Sequence, residues 1–533
     1  MERGNASSAT GRLSAALPAA ALAAFLAARL TAWPPHEDEM LALAVGRGSF
    51  GELVDTVVHE RGGAPLHFVL AWIVEHSGGG LTGLRVLSAL FAVASVPVVW
   101  ALVRRVAGEL VATVTVVLMV ASWTLLFHAV YARMYSLFLF ASALSYLSLL
   151  HAQRDGGARR WALWALAILL TVATHPYGAL VLASQGLYVL LRRERLREAI
   201  AAFAVVAVAG IPFWIIDLVL AGRFDVGVGP GGPTRLGRPD RVAEYLGRTA
   251  ADFTAGPVVL AAVLVLAAIG AWALWRERRV AALLVLAVLG TPTLALLVAR
   301  VGASAAPETR HLIFTLPFFL ALVAAGIVRR PPRIAAAITA LLVAGGVAWA
   351  WEKTPSLFLG EPDEREAGRA AAAEWLAATG RPDDVLLGYE PVFLEAQSLS
   401  PRFSRLIVPR ADAGLAVRAL ERAPKPLGRG VWVFSSWGPT SIVQRLDAPL
   451  VVPRPHEAFE ARTFGPYLVL RSRESVGTPL GYVRLAAAAM IAGKTIGIAD
   501  ADVNFATISR AATALGQIYE AASSTRSAST SSR

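Results

Sequence analysis

The chain contains no cysteine. Disulfide bonds, thiolate metal sites and cysteine nucleophiles are therefore excluded. Charge is also scarce, because 17% of the 533 residues are charged and 56% are hydrophobic. A soluble protein of this length needs more polar surface than that. The sequence also lacks a Walker motif and any glycine-rich loop between a strand and a helix, so it has no recognisable nucleotide site.

The hydrophobic residues are gathered in runs of about 18 to 22, long enough to cross a bilayer as helices. Ten further apolar runs follow the first one, which is itself long for a signal peptide. We therefore predict that the first run is an uncleaved helix and that residues 1–12 before it form a cytoplasmic N-terminus. We therefore predict an all-α polytopic membrane domain over residues 13–351. Its spans, about eleven in number, are 13–33, 82–103, 109–127, 135–152, 160–175, 177–191, 198–220, 254–275, 280–299, 311–328 and 333–351.

The net charge of +12 does not indicate a nucleic-acid partner, because most arginines lie in short clusters between the apolar runs. Such clusters follow every second run and mark cytoplasmic loops. The other loops then face outward, including the first outer loop, 34–80. The richness in alanine, arginine and glycine favours a bacterial source. We predict a multi-pass protein of the bacterial cytoplasmic (inner) membrane.

The composition changes after the last apolar run. The segment "EREAGRAAAAEWLAATG" predicts a helix ended by Gly380, and "DVLLGY", "GVWVFSSW" and "YLVLRSR" predict strands. Residues 352–476 are therefore predicted to form a small extracytoplasmic α/β domain. Residues 477–533 are expected to form a helical surface segment and a disordered tail after 522.

Three consecutive carboxylates, Glu37, Asp38 and Glu39, follow the first apolar run in "PPHEDEM". Acids favour the positive end of a helix dipole, so one interpretation is a helix start. Because three adjacent side chains point in different directions, at least one is expected to face the protein interior. An ionisable group there is a functional candidate. We expect Asp38 to be the carboxylate that points inward.

A second polar group lies in "VVHERGGAPLHF", which carries His59, Glu60, Arg61 and His67. It opens a short amphipathic segment of about 13 residues, more typical of an interfacial helix than of a span. One interpretation is a loop with a solvated salt bridge. The residue types also permit a divalent metal, although their spacing matches no tight ligand signature.

Arginines stand at the outer ends of two spans, as Arg133 beside Tyr135 and as Arg310 beside His311. Each could snorkel to the interface within an aromatic belt. Each could also bind phosphate, because a guanidinium offers phosphate oxygens a fixed fork of donors. Acids and arginines on one face of a membrane suit the transfer of a group from a lipid-linked phosphate.

The order of these features resembles the GT-C membrane glycosyltransferases, in particular the protein O-mannosyltransferase and aminoarabinose transferase branch. The resemblance rests on the acidic pair Asp38–Glu39, "APLHFVLAWI", "ARMYSLFLF", "THPYGALVL" and "TRHLIFTLPFFLAL". It implies a polyprenyl-phosphate sugar donor and a catalytic acid in the first outer loop, at Asp38. Glu60 is similar to a second family acid, although "RGGAP" replaces the family's usual sequence after it.

The sequence thus predicts an outward-facing, inverting glycosyltransferase whose acceptor is an extracytoplasmic glycan, lipid or protein. The predicted catalytic acids are Asp38, Glu39 and Glu60. Residues predicted to bind the donor phosphate are Arg133, Arg310, Arg61, Tyr135 and His311. Glu37, His59 and His67 are predicted to orient the acceptor or a divalent metal, and no cofactor is certain. The alternatives are a transporter or lipid-linked-glycan flippase, and a non-catalytic scaffold.

Overall fold

The computed structural model describes residues 3–224, 239–298, 308–409, 413–435 and 458–495. The predicted tail after 522 lies outside these residues. The chain divides into two compact units. The helical unit holds residues up to 33, then 45 to 224 and 239 to 360. The sheet unit holds residues 34 to 44 and the described residues from 361 onward.

The helical unit consists of α-helices with one π-helical and one 3-10 segment. The π-helix is Thr56–Arg61 and the 3-10 helix is Thr309–Thr315. Its described α-helices are Arg3–Arg29, Phe50–Asp55, Pro65–His76, Gly80–Ala107, Glu109–Val120, Trp123–Val130, Tyr135–Asp155, Ala158–Thr174, Gly178–Arg192, Leu196–Ala209, Ile211–Phe224, Pro239–Phe253, Leu260–Glu277, Arg279–Val298, Leu316–Ile327, Pro332–Lys353 and Ser356–Leu359.

Six segments among the described residues are long and apolar enough to cross a membrane: Gly80–Ala107, Tyr135–Asp155, Leu260–Glu277, Arg279–Val298, Thr309–Ile327 and Pro332–Lys353. The number rises to eight if each of two bent helix pairs counts as one span. The bends are 56° between Glu109–Val120 and Trp123–Val130, and 55° between Leu196–Ala209 and Ile211–Leu220. Three other predicted runs form apolar helices of at most 17 residues. The prediction of about eleven spans is therefore not confirmed, although each predicted run contains a described helix.

Glycines allow two of the spans to pack with their backbones close together. A Cβ added at Gly270 would lie 1.9 Å from the carbonyl oxygen of Leu322, and one at Gly326 would lie 2.1 Å from that of Leu266. Small residues at such crossings are typical of helix packing in membranes, where van der Waals contact drives association. These two glycines therefore fix how Leu260–Glu277 packs against Leu316–Ile327.

The sheet unit has five described strands, β1 (Val385–Leu387), β2 (Ile407–Val408), β3 (Gly430–Ser435), β4 (Phe459–Phe464) and β5 (Tyr467–Ser472). Their order is β2-β1-β3-β5-β4. The first three strands run parallel, and β5 pairs antiparallel with both β3 and β4. The described helices are Asp363–Thr379, Pro391–Leu399, Ala413–Arg422 and Pro479–Thr495, together with most of Glu37–Gly46.

Both faces of this sheet are covered, because alternate strand residues enter different cores. On one face Val431 and Val433 pack with Leu376 and Phe393. On the other face Trp432 and Phe434 pack with Leu420, Tyr482 and Ala486. The predicted helix and all three predicted strands are present. The helix expected after residue 476 is present, and its apolar side buries Tyr482 and Ala486 against the strands.

Candidate functional site

The acidic segment begins the helix Glu37–Gly46. His36 occupies the cap, because its carbonyl oxygen accepts bonds from the N–H groups of Glu39 (3.0 Å) and Met40 (3.1 Å). In return, Oε2 of Glu39 accepts a bond of 3.1 Å from the N–H of His36. This bond from the cap residue's N–H to the side chain three residues later is one of the two bonds of a capping box. The interpretation of these acids as a helix start is therefore confirmed.

Two of the three carboxylates are buried. Glu39 is fully buried, and Glu37 is 5% exposed. Oε2 of Glu37 accepts a bond of 2.6 Å from the N–H of Tyr389, just after β1. Asp38 is partly exposed, and its expected inward direction stays a prediction. The carboxylates of Glu37 and Glu39 each accept a bond from a backbone N–H group, that of Tyr389 and that of His36 respectively.

The second polar group lies on the π-helix Thr56–Arg61 and the helix Pro65–His76. Single π-helical turns occur frequently at functional sites. Nδ1 of His59 lies 3.0 Å from Oδ1 of Asp55, and both side chains are more than half exposed. The solvated-pair interpretation therefore holds for His59. His67 is buried, and Glu60 lies on the π-helix.

The two glycines after the π-helix bring it against another helix. Gly62 has a φ of +65°, and a Cβ there would lie 2.3 Å from the backbone nitrogen of Leu220. The N–H of Gly63 donates a bond of 3.2 Å to the carbonyl of Ile216. A Cβ on Gly63 would lie 3.6 Å from the ring of Pro176. This segment is therefore packed close to the turn that carries His175.

His59 and His67 belong to no metal-binding group among the described residues. Within the described part of the chain, no three histidine, aspartate or glutamate side chains come together in a way that could hold a metal ion. His59 is instead paired with Asp55 at the surface.

Arg310, by contrast, lies among aromatic rings in the helical unit. Its guanidinium carbon is 5.3 Å from the centre of the Tyr135 ring. One terminal nitrogen donates a bond of 2.6 Å to Oε1 of Glu308, and the Arg310 side chain is only 19% exposed. The N–H of Glu308 in turn donates to Nδ1 of His311 over 3.3 Å. The segment 308–311 is thus held by its own side chains.

Two histidines complete the surroundings of Tyr135. The ring of His175 lies 5.7 Å from that of Tyr135 and 5.5 Å from that of His311. Burial lowers the pKa of His175 to about 3, and the positive charges of Arg133 and Arg310 add to this effect. His175 is therefore neutral, and its Nδ1 accepts a bond of 3.0 Å from the N–H of Tyr177.

The structure thus brings together four of the predicted phosphate-binding residues and one more, His175. We call this set the arginine–tyrosine cluster: Arg133, Tyr135, His175, Arg310 and His311. Guanidinium groups can bind a phosphate because they combine positive charge with a fixed fork of donors. In this cluster they lie with the imidazoles of His175 and His311 and the phenol of Tyr135, and Arg310 also pairs with the Glu308 carboxylate. Arg61 lies on the π-helical segment and contacts the ring of Phe68 at 5.4 Å.

Sequence reasoning missed an ion pair next to this cluster, between a buried aspartate and a partly exposed lysine. Nζ of Lys353 lies 2.5 Å from Oδ1 of Asp252, whose side chain is 3% exposed. Oδ2 of Asp252 accepts a bond of 2.7 Å from Thr309, the residue before Arg310. One signal was present, because lysine occurs only three times in this arginine-rich chain and Lys353 is the one that ends an apolar run. The sequence around Asp252 contains no comparable signal.

The sequence matches no protein-family profile and no curated protein. Several solved structures are nevertheless similar to the chain. ArnT from Cupriavidus metallidurans in its apo state is 13% identical with a TM-score of 0.53, covering 87% of this chain and 98% of ArnT. The structure of ArnT bound to undecaprenyl phosphate is 14% identical in sequence with a TM-score of 0.53, and the match covers 86% of this chain and 97% of ArnT.

An oligosaccharyltransferase from Archaeoglobus fulgidus, in complex with zinc and sulfate, is also similar. It is 12% identical, with a TM-score of 0.51 over 84% of this chain and 71% of that protein. ArnT and this oligosaccharyltransferase are GT-C glycosyltransferases. The resemblance expected from the sequence is confirmed at the level of the fold, and the chain has the GT-C fold of these membrane enzymes.

Proposed function

We propose that the chain is a membrane glycosyltransferase that moves a sugar from a polyprenyl-phosphate donor to an acceptor hydroxyl. The observation that carries this proposal is the likeness to ArnT along nearly the whole length of both chains. One of the similar ArnT structures is bound to undecaprenyl phosphate. Another similar structure, AglB from Archaeoglobus fulgidus, holds a dolichol-phosphate and an inhibitory peptide.

The arginine–tyrosine cluster supports the donor assignment. In the reaction the bond between the anomeric carbon and the phosphate oxygen breaks, and negative charge grows on the departing polyprenyl phosphate. Arg133 and Arg310 stabilise that charge, because cations fixed in a site of low dielectric constant need no reorganisation during the reaction. The phenol of Tyr135 and the imidazole of His311 are placed in the same cluster to donate hydrogen bonds to phosphate.

Asp38 is the general base in this proposal. The acceptor hydroxyl passes its proton to the Asp38 carboxylate while its oxygen forms the bond to the anomeric carbon. A single displacement of this kind inverts the anomeric centre. The exposure of Asp38 supports its choice, because a base must reach the acceptor, whereas Glu37 and Glu39 are buried against backbone N–H groups.

The remaining predicted residues take more distant roles. Glu37 and Glu39 hold the acidic segment in place. Glu60 is proposed as a further catalytic acid, Arg61 as a further ligand of the donor phosphate, and His59 and His67 as residues that orient the acceptor. The active site is proposed to face outward from the bacterial inner membrane, with an extracytoplasmic glycan, lipid or protein as the acceptor.

The test uses purified protein in liposomes supplied with undecaprenyl-phosphate donors carrying mannose or arabinose sugars. Asp38→Asn keeps the shape of the side chain and removes the base, so transfer is expected to fall by at least about a hundredfold. Asp55→Asn is the matched control, since Asp55 is an exposed aspartate of the same outer region and is paired with His59. Full activity of Asp38→Asn would move the base elsewhere.

A flippase is kept as the second candidate because of one observation. Two helix pairs are bent by more than 50°, and Asp217 lies on the second of them. Broken helices with intramembrane charge are typical of transporters. The same liposomes distinguish the two functions, because a flippase moves the labelled donor across the bilayer without cleaving it, whereas a glycosyltransferase releases undecaprenyl phosphate.

A further inference from the structure

The buried carboxylate of Asp252 joins several separate parts of the helical unit. Its Oδ2 accepts a bond of 2.7 Å from Oγ1 of Thr309, and its Oδ1 accepts one of 3.2 Å from Nε1 of Trp349. The backbone carbonyl of Asp252 accepts bonds of 3.1 Å from the hydroxyls of Ser122 and Thr124, at the bend between two helices. Asp252 is thus a junction of three chain segments that are far apart in the sequence.

Lys353 balances the charge of this junction. Its Nζ lies 2.5 Å from Oδ1 of Asp252 and 3.5 Å from the centre of the Trp123 ring. Removing Lys353 would leave the buried Asp252 carboxylate without its counter-charge, which destabilises its surroundings. Lys353 thus compensates the negative charge that the Asp252 carboxylate carries beside Thr309.

The bond to Thr309 places Asp252 directly behind the arginine–tyrosine cluster. Thr309 opens the 3-10 helix Thr309–Thr315, and Arg310 and His311 are its next two residues. The preceding residue is held as well, because the hydroxyl of Tyr245 donates a bond of 2.9 Å to the carbonyl of Glu308. A segment fixed at two adjacent residues has little freedom, so the base of the Arg310 side chain is fixed too.

We propose that Asp252 is a positioning residue that, through its bond to Thr309, sets Arg310 for the donor phosphate, with Lys353 as the counter-charge that makes this bond possible. This inference rests on the proposed function. It predicts that loss of the bond weakens phosphate binding without removing any group that touches the donor.

The test compares two threonines of the same 3-10 helix. Thr309→Val removes the hydroxyl that donates to Asp252. Thr315→Val removes a buried hydroxyl that donates to the carbonyl of Leu312 and has no bond to Asp252, so it is the matched control. Thr309→Ser keeps the hydroxyl and should restore the wild-type behaviour.

Thr309→Val is expected to raise the KM for the undecaprenyl-phosphate sugar about tenfold, which corresponds to about 1.4 kcal/mol. Inhibition by free undecaprenyl phosphate should weaken by the same factor, while the KM for the acceptor and kcat change less than about twofold. A general loosening of the fold would instead lower kcat and the thermal midpoint. Thr309→Ala, which also removes the hydroxyl and leaves the Asp252–Lys353 pair intact, supplies the same comparison if Thr309→Val does not accumulate.

The outcomes separate this inference from the proposed function. A wild-type protein that neither cleaves nor binds these donors overturns the proposed function, and the inference falls with it. An active wild-type protein whose Thr309→Val variant has the same donor KM as Thr315→Val overturns the inference alone. A tenfold rise that is confined to the donor and its phosphate product, and that is reversed by Thr309→Ser, supports it.

Discussion

The acidic segment 34–44 and the basic segment 308–315 are both short polar stretches that lead into a helix, but they are held in different ways. In the acidic segment, backbone N–H groups satisfy the carboxylates of Glu37 and Glu39. In the basic segment, side chains hold the residues in place: Tyr245 donates to the carbonyl of Glu308, Asp252 accepts from Thr309, and Glu308 accepts from Arg310. Backbone donors tolerate sequence change around them, whereas a side-chain network fails when one member is lost. The basic segment should therefore be the more sensitive to substitution.

The largest expected effect of these substitutions is at Arg310. Arg310→Met removes the cation that stabilises the leaving phosphate, and sugar transfer should fall about a hundredfold, as for the loss of one donor to a developing anion. Arg310→Lys keeps the positive charge but removes the planar set of guanidinium donors, so the rate of transfer should fall about tenfold. The measurement is the initial rate of transfer in liposomes.

The matched control for this prediction is Arg241→Met. Arg241 forms an exposed pair with Glu244 and lies outside the arginine–tyrosine cluster, so its loss should leave the rate unchanged. If Arg310→Met and Arg241→Met reduce the rate of transfer equally, the cause is the loss of positive charge in general. The contrast between the acidic and basic segments would then disappear.

Glu37→Ala should have the largest effect on stability. It removes the acceptor of the Tyr389 N–H bond inside the sheet unit, which should cost about 2 kcal/mol. Glu37→Gln keeps an acceptor oxygen and should cost less than half of that. The measurement is the thermal unfolding midpoint in detergent. Equal losses for alanine and glutamine would mean that charge, and not the backbone bond, holds this carboxylate.

Glu39→Ala should have a smaller effect. Its bond to the N–H of His36 is a local cap, and the loss of such a cap costs about 1 kcal/mol. Glu39→Gln can make the same bond and should restore most of the midpoint. A loss of transfer with an unchanged midpoint would instead give Glu39 the catalytic role that the sequence suggested.

His59→Ala should have the smallest effect. Its pair with Asp55 is exposed at both partners, and such pairs contribute about 0.5 kcal/mol or less. Transfer should also remain, with or without added divalent cations in the assay. A loss of activity that added zinc or magnesium modifies would revive the metal interpretation of this segment.

The sequence predicted those features that depend on neighbouring residues. The start of the helix at Glu37, the helix ended by Gly380 and the strands of the sheet unit each follow from local patterns of charge and hydrophobicity. The resemblance to GT-C enzymes, which rests on the order of such patterns, is confirmed for the fold. The predicted number of about eleven spans is not confirmed, because six to eight of the described helices or bent helix pairs are long and apolar enough to cross a membrane.

Long-range pairing was not predicted. Asp252 and Lys353 are 101 residues apart, and Asp252 and Thr309 are 57 apart. Nothing in the residues around Asp252 indicates its partners, because such pairs are specified by packing of distant helices. The burial of Glu37 escaped prediction for the same reason, whereas the cap at Glu39, formed within three residues, follows from the helix-start pattern.

The bond between Glu37 and Tyr389 also bears on how the protein is made. The two residues are separated by 352 positions, so at 5 to 20 residues per second the acidic segment leaves the ribosome roughly 20 to 70 seconds before its partner. The sheet unit therefore cannot be complete until the apolar helices between them have been synthesised. Cutting the chain after residue 352 would remove Tyr389 and leave the carboxylate of Glu37 without that bond. Such a truncation therefore does not separate a membrane enzyme from an appended domain, because the appended domain includes residues from the start of the chain.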